Sequence, residues 1–156
     1  PVGDFVKRNT TPYVNWTLIA INIAVFLYTI TLSTRPDRIL GDFQVSEADV
    51  FFFDWGYLPA CVADYFGLST NASALEMRTF CPSDNREPFT IFSAMFMHAG
   101  WAHIIGNMLF LWVFGDNIED VLGSVLYPIF YLGSGVIAAV AQAVVHLATV
   151  PVTLVK

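Results

Sequence analysis

Charge is missing from three long windows of this sequence, and that absence constrains the fold more than any other feature. No Asp, Glu, Lys or Arg occurs between Arg8 and Arg35, between Glu87 and Asp116, or between Asp120 and Lys156. A membrane-spanning helix needs about 20 mostly apolar residues, and a charge at mid-bilayer costs about 2.5–3.5 kcal/mol on insertion scales. Each window is long enough for one span. A single apolar run is also the mark of a buried helix in a soluble protein. Three of them, in a chain that is 56% hydrophobic and 13% charged, exceed what one soluble core uses. A lone strand in lipid leaves its backbone unpaired and three strands cannot close a barrel, so the spans are helical. The sequence predicts an all-α polytopic membrane protein.

The segments follow from the windows. Residues 1–12 read as a cytoplasmic N-terminus and 13–32 as the first span. Residues 33–100 form a long outer loop, 101–115 the second span, 116–123 an inner loop, 124–146 the third span and 147–156 an outer tail. At about 1.5 Å per residue the second span reaches only about 22 Å, less than the hydrocarbon thickness. Local thinning of the bilayer or burial among neighbours accommodates such a deficit, with residues 89–96 at the interface. Lys7 and Arg8 before the first span favour a cytoplasmic N-terminus. The outer loop holds four basic and nine acidic residues from Arg35 to Glu87, and loops of that length translocate largely regardless of charge. The net charge of −6 argues against a nucleic-acid partner, which needs clustered Lys and Arg. No signal-peptide pattern is present. The chain begins at Pro1 rather than Met and stops at Lys156 in apolar sequence, which reads as a fragment of a longer protein.

The outer loop carries an aromatic cluster at residues 51–59, suited either to an interfacial platform or lid, or to packing on the helices. Both cysteines, Cys61 and Cys81, fall in this loop. In an oxidising compartment they are able to pair, although spacing alone does not decide it. Asn71-Ala72-Ser73 matches a glycosylation sequon.

Polar residues inside the second span are the chemically specific feature, because such groups are costly in lipid. His103 and Asn107 are four apart and share a helix face. His98 lies about 140° round from His103 on an ideal helix and precedes the Ala99-Gly100 break, so the two histidines point different ways. Gly106 permits close approach of a neighbouring helix. Three readings compete. A metal site wants converging His, Cys or carboxylates, and no acid lies within the span. A structural reading has His103 and Asn107 hydrogen-bonding between helices. A catalytic reading has them as donors that stabilise a developing oxyanion in a low-dielectric pocket.

The pattern His98-x4-His103-x3-Asn107 resembles the second-helix signature of the rhomboid intramembrane serine proteases. The flanking blocks, residues 96–101 and 106–120, resemble bacterial members closely, as do Phe130-Tyr131-Leu132 with Gly135, and Asn15 and Asn22 in the first helix. The likeness runs over residues 12–150. It implies a six-helix core, of which three helices are present here, that cleaves transmembrane proteins in the bilayer without metal or organic cofactor. It makes His103 and Asn107 oxyanion stabilisers and His98 a supporting hydrogen-bonder. Glu119 would tie down the inner loop, and the outer loop would be embedded in the membrane surface. The implied partners are transmembrane substrates, the lipid bilayer and the C-terminal helices of the same domain. The implied location is a membrane, expected to be the bacterial inner membrane.

Two departures from the family pattern stand out. Many members carry Trp-Arg about nine residues before the first histidine, where this chain has Phe89-Thr90. The nucleophile is also missing: the family's serine sits in Gly-x-Ser-Gly on the fourth helix, with a histidine on the sixth. Ser134, within Gly133-Ser134-Gly135, lies one helix too early. It reads as part of a small-residue packing surface with Gly135, Ala139 and Ala143. His146 reads as an interfacial residue rather than a general base. The chain alone is therefore expected to be inactive. The alternative is a catalytically dead relative that binds membrane clients without cutting them.

Overall fold

The computed structural model describes residues 11–40, 43–65, 81 and 87–149. The sequon at Asn71, the basic pair Lys7 and Arg8, and the tail from residue 150 lie outside the described residues. The chain is mostly helical. α1 is Tyr13–Ser33, followed by β1 (Arg38–Leu40) and β2 (Phe43–Val45), then α2 (Glu47–Trp55), α3 (Pro59–Tyr65) and α4 (Glu87–Ser93). A short 3-10 turn, Ala94–Phe96, leads into α5 (Trp101–Phe110), a π-helical stretch Leu111–Gly115, and α6 (Asp116–Thr149).

Among the described residues, two helices are long and apolar enough to cross a membrane, Tyr13–Ser33 and the continuous run Trp101–Val145. α1 is arranged inside out. Its buried face carries Asn15, Asn22 and Thr29 beside Leu18, Phe26 and Leu32, while Trp16, Ile21, Ile23, Leu27 and Tyr28 are exposed. Burying polar groups against protein and turning apolar ones outward is the arrangement that lipid favours. Asn22 Nδ2 donates to Leu18 O and Thr29 Oγ1 to Phe26 O, so these donors find partners within the helix.

The second long run turns back on itself at Gly123, where φ is 76° and ψ is 160°. Glycine populates this left-handed region without steric cost. Before the break the chain runs antiparallel to α1: Trp101 meets Phe26 edge-to-face at one end, and Asn15 Nδ2 donates to Leu111 O at the other. After the break it runs parallel to α1, with the Tyr127 hydroxyl donating to Asn15 Oδ1. Pro128 lies inside the helix, five residues after the break. Residues 116–122, expected as an inner loop, are helical, so the reversal takes a single glycine. Residues 101–122 then measure about 33 Å as one helical run.

A buried polar cluster closes the end of the bundle near this turn. Glu119 is fully buried. Its carboxyl oxygens accept hydrogen bonds from the backbone amides of Val14 (3.2 Å) and Asn15 (2.8 Å) and from Ser124 Oγ (2.9 Å). Those amides belong to the first turn of α1, whose preceding residue, Pro12, offers no side-chain cap. Glu119 thus caps a helix 105 residues away in sequence. Asn15 bridges Leu111 O and Tyr127 in the same cluster. Gly115 packs so tightly here that a Cβ would fall on Asn15 Oδ1 and the Tyr127 hydroxyl. Gly115→Ala is expected to cost about 1–3 kcal/mol through overpacking. Thermal unfolding in detergent measures this, and an unshifted melting temperature would refute the tight contact.

The described residues between α1 and α5 are structured. Ser46 caps α2 in a reciprocal box with Asp49. Phe51 meets Tyr28 of α1 edge-to-face at 5.5 Å, which seats α2 on the C-terminal part of α1. Arg38 pairs with Glu47 beside the two-stranded hairpin. Cys61 and Cys81 form a disulfide, with Cα atoms 5.4 Å apart. Ser93 Oγ donates to Trp55 O and joins the end of α4 to the end of α2.

Candidate active site

The site lies where the segment between α1 and α5 meets α1, α5 and α6. After the 3-10 turn, Met97 is extended and Gly100 adopts a fully extended conformation as α5 begins. This irregular stretch folds His98 back over the first turns of α5. Its ring centroid comes to 5.0 Å from that of His103, and its Nε2 to 3.1 Å from Asn107 Nδ2. The expectation that the two histidines point different ways is corrected here. His98 sits outside the helix, before the Gly100 break, so ideal helical phase does not set its direction.

An amide NH2 group only donates, so Nε2 of neutral His98 accepts and the ring proton sits on Nδ1. Nδ1 is buried and completes no hydrogen bond among the described residues. Burial, and secondarily the neighbouring His103, push the His98 pKa below its ordinary value, opposed by the Phe96 backbone. The sign of the consequence is fixed. A His pKa lower in the folded than in the unfolded state means that the folded chain binds fewer protons. Stability is then intact above the unfolded value of about 6.5 and falls as pH drops below it. Protonation also replaces the acceptor at Nε2 by a second donor facing the Asn107 amide. A melting series from pH 8 to pH 5 is expected to show an acid loss that His98→Gln reduces. Equal pH dependence in the two proteins would contradict it.

His98, His103 and Asn107 line one cavity of about 620 Å³. Its other walls come from Asn22 of α1, Tyr57 between α2 and α3, Met95 of the 3-10 turn, and the face of α6 that carries Tyr131, Ser134 and Gln142. Burial raises the Tyr57 phenol above its ordinary pKa. The cavity therefore gathers a His and Asn donor set in apolar surroundings. No group of three or more His, Cys, Asp or Glu able to hold a metal occurs among the described residues. Ser134 Oγ donates to Tyr131 O of its own helix at 2.9 Å.

Residues 85–153 match the family model of the rhomboid domain. That stretch is similar to the rhomboid domain. The chain is similar to RHOMBOID-like protein 2 of Arabidopsis thaliana, with 29% identity over 132 residues, covering 80% of this chain. The alignment takes in 41% of that relative, so the chain spans well under half of its length. No solved structure matches the chain.

Other site expectations from the sequence meet the structure unevenly. Gly106 has open space around it, and no helix approaches it closely among the described residues. Gly135 faces Met95 of the 3-10 turn rather than a neighbouring helix. At the positions that carry Trp-Arg in many rhomboids, Phe89 is exposed and Thr90 is buried. Sequence reasoning missed Tyr57, Met95 and Tyr127. Only Tyr57 carried a signal, as a polar-tipped aromatic between Gly56 and Leu58-Pro59 in the aromatic cluster.

Proposed function

We propose that the intact protein is an intramembrane serine-type endopeptidase that cleaves transmembrane proteins, and that this chain supplies its oxyanion-side helix. The observation that carries this reading is the convergence of His98, His103 and Asn107 on one cavity in a chain similar to the rhomboid domain. The two long helical runs cross the bilayer three times, reversing at Gly123, with the N-terminus cytoplasmic and the outer segment on the opposite surface. Further helices of the same domain pack against the cavity and bring the serine and the general base.

The chemistry is acyl transfer. A base-activated serine attacks the scissile carbonyl, and the negative charge on the carbonyl oxygen is met by N–H donors. Asn107 has two amide protons and gives one to His98, which leaves the second for the oxyanion. His103 supplies a ring N–H beside it. The tetrahedral intermediate collapses, breaking the C–N bond as the protonated base gives its proton to the departing amine. Water, deprotonated by the same base, then attacks the acyl-enzyme, the serine oxygen takes the proton back and the acid product leaves. No residue of this chain acts as nucleophile.

The test reconstitutes the full-length protein in liposomes with a single-span substrate and looks for two fragments on a gel. Cleavage lost on blocking with a serine-reactive phosphonate supports the reading. A client that co-purifies uncut would favour a non-catalytic, client-binding role, in which the Asn107–His98 hydrogen bond serves packing alone.

A further inference from the structure

His98 is held by a segment that has no regular structure of its own, so something else must fix its position. The 3-10 turn two residues earlier is docked on α6 at two points one helical turn apart. The Phe96 ring lies 6.1 Å from that of Tyr131, and the Met95 side chain fills the space beside Gly135. A Cβ on Gly135 would fall on Met95 Sδ and come within 2.6 Å of its Cε and 2.9 Å of its Cγ. Thioether and glycine thus form a fitted pair. From that pair the backbone runs through extended Met97 directly to His98.

We propose that Met95, seated against Gly135, is a positioning residue that sets where His98 presents Nε2 to Asn107. It acts through His98 and touches no reacting atom. The consequence for turnover rests on the protease reading, while the consequence for His98 itself does not. Gly135→Ala pushes Met95 off its seat, tilts the turn and weakens the His98–Asn107 hydrogen bond. A misplacement of about 1 Å at such a site costs up to about 100-fold in rate.

The experiment uses the full-length protein in nanodiscs, with histidine rings labelled with nitrogen-15. It compares Met95→Leu, Met95→Ala, Gly135→Ala and the double variant Met95→Ala with Gly135→Ala. Met95→Leu preserves volume, so the His98 ring signals stay in place. Met95→Ala and Gly135→Ala each shift them, and Gly135→Ala lowers kcat about 10- to 100-fold with little change in KM. With Met95 already truncated, the alanine methyl has room, so Gly135→Ala adds little further change. This non-additivity is the signature of the pair. Unmoved His98 signals in Met95→Ala, or equal effects of Gly135→Ala in both backgrounds, would overturn the proposal. Should Gly135→Ala fail to fold, the contrast between Met95→Leu and Met95→Ala still decides. If the wild-type protein cleaves nothing, the protease reading fails while the ring signals still test the positioning.

Discussion

Glu119→Ala lowers the stability of the folded protein by roughly 3–5 kcal/mol, the range for removing one partner of a fully buried, multiply bonded polar group. The magnitude follows from what is left behind. The amides of Val14 and Asn15 lose their acceptor inside an apolar bundle, and Ser124 loses its partner across the Gly123 turn. Each stranded donor costs about 1–3 kcal/mol, and a cavity opens where the side chain was. Glu119→Gln keeps the volume but sets an amide donor against two backbone donors, so a smaller loss is expected. The effect is local before it is global. Hydrogen exchange at Val14 and Asn15 should accelerate in both variants ahead of the rest of α1. Wild-type exchange at those two amides, or an unshifted melting curve for Glu119→Ala, would show that α1 is capped some other way.

The helical regions were legible because lipid is a strict filter. Charge exclusion marked the apolar windows, and a backbone in lipid has few options. The reversal at Gly123 was harder to place. Residues 116–122 carry Asp116, Glu119 and Asp120, and charges in a short polar run read as a loop. They form a helix because Glu119 is consumed by α1, which a linear reading does not see. The segment between α1 and α5 behaved the same way. Ser46 and Asp49 spell a capping box, but the seat of α2 on Tyr28 and the link from Ser93 to Trp55 depend on contacts distant in sequence. At the site, helical phase related His103 to Asn107, whereas His98 depends on an extended backbone at Met97 and Gly100. Gly135 was recognised as a small residue that permits contact. What it contacts is a methionine on a 3-10 turn, and methionine, with three rotatable bonds, leaves little pattern in a sequence.

In the intact protein, His103→Ala and Asn107→Ala each lower kcat by about 10- to 1000-fold with KM nearly unchanged, if each donates to the oxyanion. The two residues differ in what else they hold. Asn107 also donates to His98, so Asn107→Ala frees a buried ring nitrogen and should reduce stability as well as turnover. Asn107→Asp separates these roles. A carboxylate there repels a developing oxyanion while still facing the His98 ring. Turnover should fall at least as far as in Asn107→Ala, and the His98 contact should survive as an acceptor once the ring proton moves to Nε2. The His103 side chain has no such hydrogen-bond partner among the described residues, so the loss of turnover in His103→Ala should come with a smaller change in melting temperature. The reading fails if either alanine variant keeps wild-type kcat while losing stability, because that pattern belongs to packing between helices and not to charge stabilisation in a transition state.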